Sequence, residues 1–256
     1  MAEPLSSRPM IQVHGLHKSF GDYKVLTGID LAIPEGNTCV ILGGSGSGKT
    51  VLMKHMIGLL KPDAGEVRID GEDVVPMDPQ GLERIRHKFG MVFQAAALFD
   101  SMNVYDNVAF PLREHRQDMP EEEMRALVRS KLELMGLPRS AEDKFPADLS
   151  GGMRKRVGLA RAIVMNPKIV LYDEPTTGLD PITTDYVDEM ILAAQRELGI
   201  TSVVISHDIA SAFNIADQIA FLSKGVILEQ GPPEQVRASE NPTVKVFLQT
   251  WFGKND

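Results

Sequence analysis

The sequence predicts an α/β protein with a mainly parallel core sheet, an antiparallel β layer and an inserted α-helical subdomain. Three observations carry that prediction. Short apolar runs of strand length alternate with helical patterns, the signature of crossover connections between parallel strands. The residues ahead of Pro34 are β-rich and interrupted by turn dipeptides. From about Ala95 to Asp148 the strand pattern fades and an amphipathic helix takes its place.

In chain order, Ile11–Phe20 through Leu31–Pro34 reads as the β layer, with turns at Gly21-Asp22 and Glu35-Gly36. Thr38–Leu42 is the first core strand, and Thr50–Leu60 reads as the helix after it. Gly65–Gly71 adds a short strand and turn, and Gly90–Phe93 is the next core strand. In the middle stretch, Pro120 and the acids Glu121, Glu122 and Glu123 suit a first helical turn, where negative charge complements the helix dipole. Met124, Leu127, Val128, Leu132 and Met135 then share one face, and Gly136 is a stop signal. Ile169–Asp173, Ser202–Ser206 and Gln218–Ser223 complete the strands.

Composition narrows the function. A net charge of -8 and a pI near 5.3 lack the basic footprint of a nucleic-acid binder. Cys39 is the only cysteine, so neither an internal disulfide nor a thiolate metal cluster is available. Its apolar neighbours Val40, Ile41 and Leu42 mark it as a buried small hydrophobe. No apolar run approaches the roughly 18 residues that a bilayer span needs. Met1–Ser7 lacks the basic-then-apolar start of a secretion signal. A membrane role would therefore be peripheral, with another chain supplying the pore.

The clearest chemical motif is Gly43-Gly44-Ser45-Gly46-Ser47-Gly48-Lys49-Thr50, a G-x-x-x-x-G-K-[ST] loop between an apolar strand and a helix. Its backbone N–H groups and the helix N-terminus suit phosphate oxygens, and its glycines permit close approach. In such a loop Lys49 reaches the β and γ phosphates and the Thr50 hydroxyl ligates Mg²⁺. The strand Ile169–Asp173 ends in a second acid, Glu174. Asp173 there suits Mg²⁺ held through water, and Glu174 suits a base for an attacking water.

A third motif, Leu149-Ser150-Gly151-Gly152-Met153, opens a helix carrying Met153, Val157, Ala160 and Val164 on one face. Ser150 and the two glycines make another anion-receptive helix start. This run resembles the LSGGQ signature of ABC ATPases, with methionine at the last position. The likeness extends from about Ile11 to Gly231 and rests on motifs in order. It implies a P-loop NTPase of the ABC cassette type that hydrolyses ATP with Mg²⁺.

By the same resemblance, Gln94 is the Q-loop glutamine near Mg²⁺ and the attacking water, and His207 is the switch histidine beside the γ-phosphate. Ser150, Gly151 and Gly152 would meet the nucleotide held by a second copy, and Asp180 in Gly178-Leu179-Asp180 would cross that dimer interface. Phe20 matches the aromatic that stacks on adenine, with Tyr23 a neighbouring competitor. The implied domain, 1–256, has a RecA-like core and β layer at 11–94 and 149–231, the helical subdomain at 95–148 and a tail at 232–256.

Within the family, Phe93–Phe99, Met102–Val108 and Pro111–His115 look like the ATPase of Mce-associated lipid transporters, which include the Mla phospholipid system. That likeness implies a peripheral protein on the cytoplasmic side of the inner membrane. Its implied partners are a permease dimer, an Mce-domain protein and a STAS-domain regulator. The alternative is a transporter ATPase for another small solute. Read physically, Arg113, Glu114 and His115 are a polar helix end or surface loop. Cassette proteins of translation and DNA repair carry paired cassettes, coiled coils or zinc insertions, which this single chain lacks. The tail carries Val244, Val246, Phe247, Leu248, Trp251 and Phe252; packing of its first half is expected, with Trp251 and Phe252 available to a partner.

Overall fold

The apolar runs settle into two sheets, and a computed structural model describes residues 8–252, with side chains described for 8–249. β1 (Pro9–Phe20) and β2 (Tyr23–Pro34) pair antiparallel around the turn at Gly21-Asp22. β3 (Thr38–Leu42) opens the second sheet and leads through the phosphate loop into α1 (Lys49–Met56). β4 (Ala64–Ile69) and β5 (Glu72–Asp73) return to the first sheet, giving the order β2-β1-β4-β5. After α2 (Pro79–Arg86) comes β6 (Phe89–Val92). α3 (Val104–His115), α4 (Glu121–Leu134) and α5 (Gly151–Ile163) separate it from β7 (Ile169–Asp173). α6 (Pro181–Leu198), β8 (Thr201–Ser206), α7 (Ile209–Ile215), β9 (Gln218–Ser223) and β10 (Val226–Gly231) follow. α8 (Pro233–Arg237) and α9 (Pro242–Phe252) lie last. The second sheet runs β10-β9-β3-β8-β7-β6 and is parallel except for the β9–β10 pair.

The core strands are continuous apolar runs because both faces of the sheet are covered. On β3, Val40 and Leu42 face a core shared with α3 to α7, while Cys39 and Ile41 face the β layer, α1 and α2. The same alternation divides β7, where Val170 and Tyr172 point one way and Ile169 and Leu171 the other. Burial pushes the Cys39 thiol up to about 12, so it stays an inert apolar filler.

Several boundaries depart from the sequence reading. α1 ends at Met56, short of Leu60, because Gly58 turns left-handed at φ +62 and the amides of Leu59 and Leu60 fold back onto the Lys54 carbonyl. Pro120 is the N-cap of α4, one residue ahead of its first turn. α3 is a second helix in the middle stretch. Asn103 caps its start, and Pro111 lies inside it, a turn before its end, where the burial of Tyr105, Val108, Ala109 and Leu112 holds the helix together. Arg113, Glu114 and His115 are the end of that helix. In α9, Val244 and Leu248 are buried and the Phe247 ring meets Phe221 at 4.9 Å, but Val246 is 62% exposed. The side chains of Trp251 and Phe252, and residues 1–7, lie outside the described residues.

An ion cluster fastens the β layer to the starts of two core strands. Asp70, in the β4–β5 turn, accepts from Lys88 at 2.9 Å and Lys168 at 2.9 Å, just ahead of β6 and β7 respectively. Arg8 adds a contact of 2.9 Å to the same carboxylate, and Lys88 also reaches Glu72 at 3.0 Å. The Lys88 hydrogen bond leads in holding the Asp70 carboxyl down at about 2, against an ordinary 3.8. Stabilisation from this lowered group is full above its ordinary value and is lost as pH falls through about 2. Asp70→Ala is expected to cost about 1–2 kcal/mol at neutral pH. For a domain of this size that is roughly 2–8 °C in Tm by calorimetry. The deficit should shrink as pH falls from 4 to 2. An unchanged Tm at pH 7 would show that the cluster holds nothing.

Candidate functional site

Parallel strands end together, and their carboxyl ends here carry the polar residues of one pocket. In the sheet order β3-β8-β7-β6, the ends are continued by the phosphate loop, His207, Glu174 and Gln94. A cavity of about 780 Å³ gathers Gln94, Glu174 and His207 with Ser45–Val51, and Phe20, Tyr23 and Val25 line its outer side.

The phosphate loop is built for a close ligand. Gly46 and Gly48 hold φ of +74 and +108, values that an L side chain rarely adopts. A Cβ on Gly48 would also meet Leu26 at 2.8 Å, so the β layer presses directly on the loop. α1 starts at Lys49 without a side-chain cap, leaving its first amides for a ligand. Ser47 Oγ is buried with no protein partner. These backbone donors, the orphaned hydroxyl and the lysine form a donor set that fits phosphate oxygens.

Lys49 donates to the Gly43 carbonyl at 2.7 Å and the Gly44 carbonyl at 3.2 Å. Its ammonium is 3.9 Å from Glu174 Oε1. Burial pulls the Lys49 pKa down, opposed by the charges of Glu174 and Asp173. Burial likewise pushes Asp173 up, with Glu174 adding repulsion and Lys49 opposing. Lys49 and Asp173 therefore each favour the other's charge.

Glu174 sits at φ +52, a left-handed conformation uncommon for a non-glycine residue. Its amide donates to the Ile205 carbonyl at 2.9 Å, which fixes the turn after β7 against β8. His207 Nδ1 lies 2.6 Å from Glu174 Oε2, and Thr177 Oγ1 donates to the same oxygen at 2.9 Å. Both contacts converge on one carboxylate oxygen and hold the Glu174 side chain from that side.

Of the anticipated residues, Lys49, Thr50, Gln94, Glu174 and His207 line this pocket, as do Ser45, Gly46, Ser47 and Gly48. Gly43 and Gly44 lie under the lysine, and Asp173 is half-buried behind the pocket wall. Phe20 is 50% exposed and Tyr23 is 69% exposed, which rules out a core role for either ring. Thr177 and Val25 were not anticipated. Thr177 had a legible signal, a hydroxyl three residues beyond an acid that ends a strand. Val25 had none, because its place depends on how β2 crosses the loop.

Ser150, Gly151, Gly152 and Asp180 are absent from this pocket. They line a separate groove of about 480 Å³ with Arg156 and Tyr186, whose cation and ring are 5.1 Å apart. Ser150 Oγ caps α5 by accepting from the Met153 amide at 3.2 Å. Asp180 caps α6 by accepting from the Thr183 amide at 3.1 Å and from its hydroxyl at 2.6 Å. No group of three or more His, Cys, Asp or Glu among the described residues is arranged to hold a metal. Thr50, Gln94 and Asp173 offer the sparse oxygen donors that suit Mg²⁺, which keeps much of its own water and shares phosphate oxygens. Among the described residues no helix is long and apolar enough to cross a membrane.

Comparison with known proteins places these features. The family model described as "ABC transporter" matches residues 26–177. The chain is 45% identical over 238 residues to the probable ribonucleotide transport ATP-binding protein mkl of Mycobacterium tuberculosis, covering 93% of this chain and 66% of that protein. It thus spans just under two thirds of that relative's length. It is 41% identical over 228 residues to the intermembrane phospholipid transport system ATP-binding protein MlaF of Escherichia coli K12, covering 89% and 84% of the two chains. Among solved structures, cbiO1 from Clostridium perfringens, part of the transporter complex cbiONQ, superposes with a TM-score of 0.84 at 33% identity, covering 94% of this chain and 95% of that one. The post-hydrolysis dimer of the ATP-binding cassette MJ0796, bound to ADP and Pi, superposes with a TM-score of 0.78 at 33% identity, covering 88% and 99%. By sequence and by fold, the chain belongs to the ABC transporter family of ATP-binding cassettes.

Proposed function

We propose that this chain binds and hydrolyses ATP, working in pairs to power phospholipid transport across a bacterial envelope. The observation that carries the ATPase reading is the convergence of the phosphate loop, Gln94, Glu174 and His207 on one cavity. ATP places its phosphates on the loop and Lys49, with its adenine against Phe20 or Tyr23 at the outer side. Glu174 orients a water and takes its proton as that oxygen attacks the γ-phosphorus and the bond to ADP breaks. His207 and Thr177 fix the Glu174 carboxylate from the side away from Lys49. Mg²⁺, held by Thr50 and Gln94 directly and by Asp173 through water, would supply charge neutralisation at the phosphates.

The second groove supports a second copy of this chain as partner. Ser150, Gly151, Gly152 and Asp180 are too far from this chain's own phosphate pocket to share its lining, so their anion-receptive helix start serves a second copy. Bound ATP then contacts both chains only when they close, which favours the closed pair, and loss of the γ-phosphate releases it. MJ0796, which forms dimers with nucleotide, supports this arrangement.

Phospholipid cargo rests on the likeness to MlaF, which extends over most of both chains. The permease would dock beside Phe93, Phe99 and Pro111, which line a groove of about 660 Å³. An Mce-domain protein and a STAS-domain regulator complete the proposed assembly, with this chain peripheral on the cytoplasmic side of the inner membrane. The name of the mycobacterial relative, ribonucleotide transport, favours a second reading in which the cargo is another small solute.

Glu174→Gln is expected to bind ATP while hydrolysing it ~10²–10⁴-fold more slowly. It should accumulate as an ATP-bound dimer on gel filtration, and near-normal turnover would remove Glu174 as the base. Lys49→Ala should instead weaken nucleotide binding itself by about tenfold or more in titration calorimetry. Affinity purification from solubilised membranes should recover a permease and an Mce-domain protein, with phospholipid in the complex. A solute-binding protein without an Mce partner would overturn the lipid reading.

A further inference from the structure

Two residues beyond Gln94 the backbone does something alanine resists. Ala96 and Ala97 hold φ of +60 and +46, consecutive left-handed residues with no glycine between them. Such a pair persists only where neighbouring groups over-determine it. The neighbour here is Arg161, near the end of α5. Its Nη2 donates to the Ala96 carbonyl at 2.8 Å and to the Ala97 carbonyl at 2.8 Å. Its Nη1 reaches Asn107 Oδ1 at 3.4 Å, and its guanidinium lies 5.5 Å from the Phe99 ring.

Asn107 is fully buried and secures the far end of the same loop. It accepts from the Phe99 amide at 2.9 Å and donates to the carbonyls of Phe99 and Met102. One turn before Arg161, Gly158 lies under the loop, where an added Cβ would come within 3.2 Å of the Ala96 Cβ and carbonyl. Burial opposes the charge on Arg161, yet the side chain is spent on two backbone carbonyls.

We propose that Arg161 is a positioning residue for Gln94: it clamps the left-handed Ala96-Ala97 turn, aims Gln94 into the nucleotide pocket and ties that loop to the helix that begins at Gly151. The proposal rests on the ATP-hydrolysis reading above. A glycine in the turn removes the conformational resistance that the clamp overcomes, so Ala97→Gly should make Arg161 less necessary.

The test compares the wild type, Arg161→Ala, Arg161→Lys, Ala97→Gly and the Ala97→Gly/Arg161→Ala double variant. Steady-state ATPase rates with Mg²⁺ and ATP are measured beside amide hydrogen exchange of the nucleotide-free protein. Arg161→Ala is expected to lower kcat by about tenfold or more while KM for ATP changes less than about threefold, because the phosphate loop is untouched. Exchange should speed up at residues 94–99 and stay constant at 43–50. In the Ala97→Gly background the loss of kcat should be at least about threefold smaller. If Arg161→Ala does not fold, Arg161→Lys, which keeps the buried stem but not the rigid fork, carries the same comparison. Equal losses in both backgrounds, or a KM that rises as kcat falls, would overturn the positioning role. A wild-type protein without ATPase activity would remove the hydrolysis reading and with it the catalytic part of this one. Exchange would then decide the clamp, and unaltered exchange at 94–99 would sink it.

Discussion

Parallel pairing of β3, β8, β7 and β6 is the constraint on which the site depends. The four strands lie in register, so the residues just past their carboxyl ends are forced into one row. Chemistry dispersed over residues 43–207 thereby meets in one pocket without any long side chain reaching for it. The β layer acts on the same point from above. Gly225 donates its amide to the Ser47 carbonyl at 3.3 Å, and Thr27 donates to the Gly225 carbonyl at 2.9 Å. β2, the phosphate loop and the turn before β10 thus brace one another.

Electrostatics then makes the row reactive rather than merely crowded. Lys49 and Asp173 are drawn out of water together beside Glu174, so each of these two charges is costly alone and tolerable in company. A triphosphate arriving at the loop adds negative charge beside Lys49 and competes with Gly43, Gly44 and Glu174 for the ammonium. On the proposed reading this releases Glu174 from the lysine while His207 and Thr177 keep its carboxylate in place.

Much of this was legible locally and some of it was not. Strands such as Thr38–Leu42 and Ile169–Asp173 announce themselves because burial on both faces leaves mostly apolar residues, and their bounds match those in the structure. The phosphate loop is legible because its glycines and lysine are contiguous in sequence. α3 was hidden by Pro111, a helix breaker by propensity that tertiary packing of the helix's buried face overrides. β5, two residues long, and β10, an edge strand of mixed burial, lack an apolar pattern long enough to register. Thr177, Val25 and the Arg161 contacts are tertiary facts, set by how elements distant in sequence pack.

The separation of the two grooves bears on symmetry. A chain with a phosphate pocket on one patch and an anion-receptive helix start on another has two complementary surfaces. If two copies meet about a two-fold axis, each patch of one faces the other patch of its partner, and both sites are completed at once. If they met without closing, one site of each type would remain open and a third copy would add, giving a filament. A two-fold pair therefore uses both of these grooves. α5 and α6 together carry the second groove. Lys155 on α5 donates to the Pro175 carbonyl at 2.5 Å, just past Glu174, so α5 is anchored beside the proposed base. On the proposed reading, closure of the pair would bear on Glu174 through this contact.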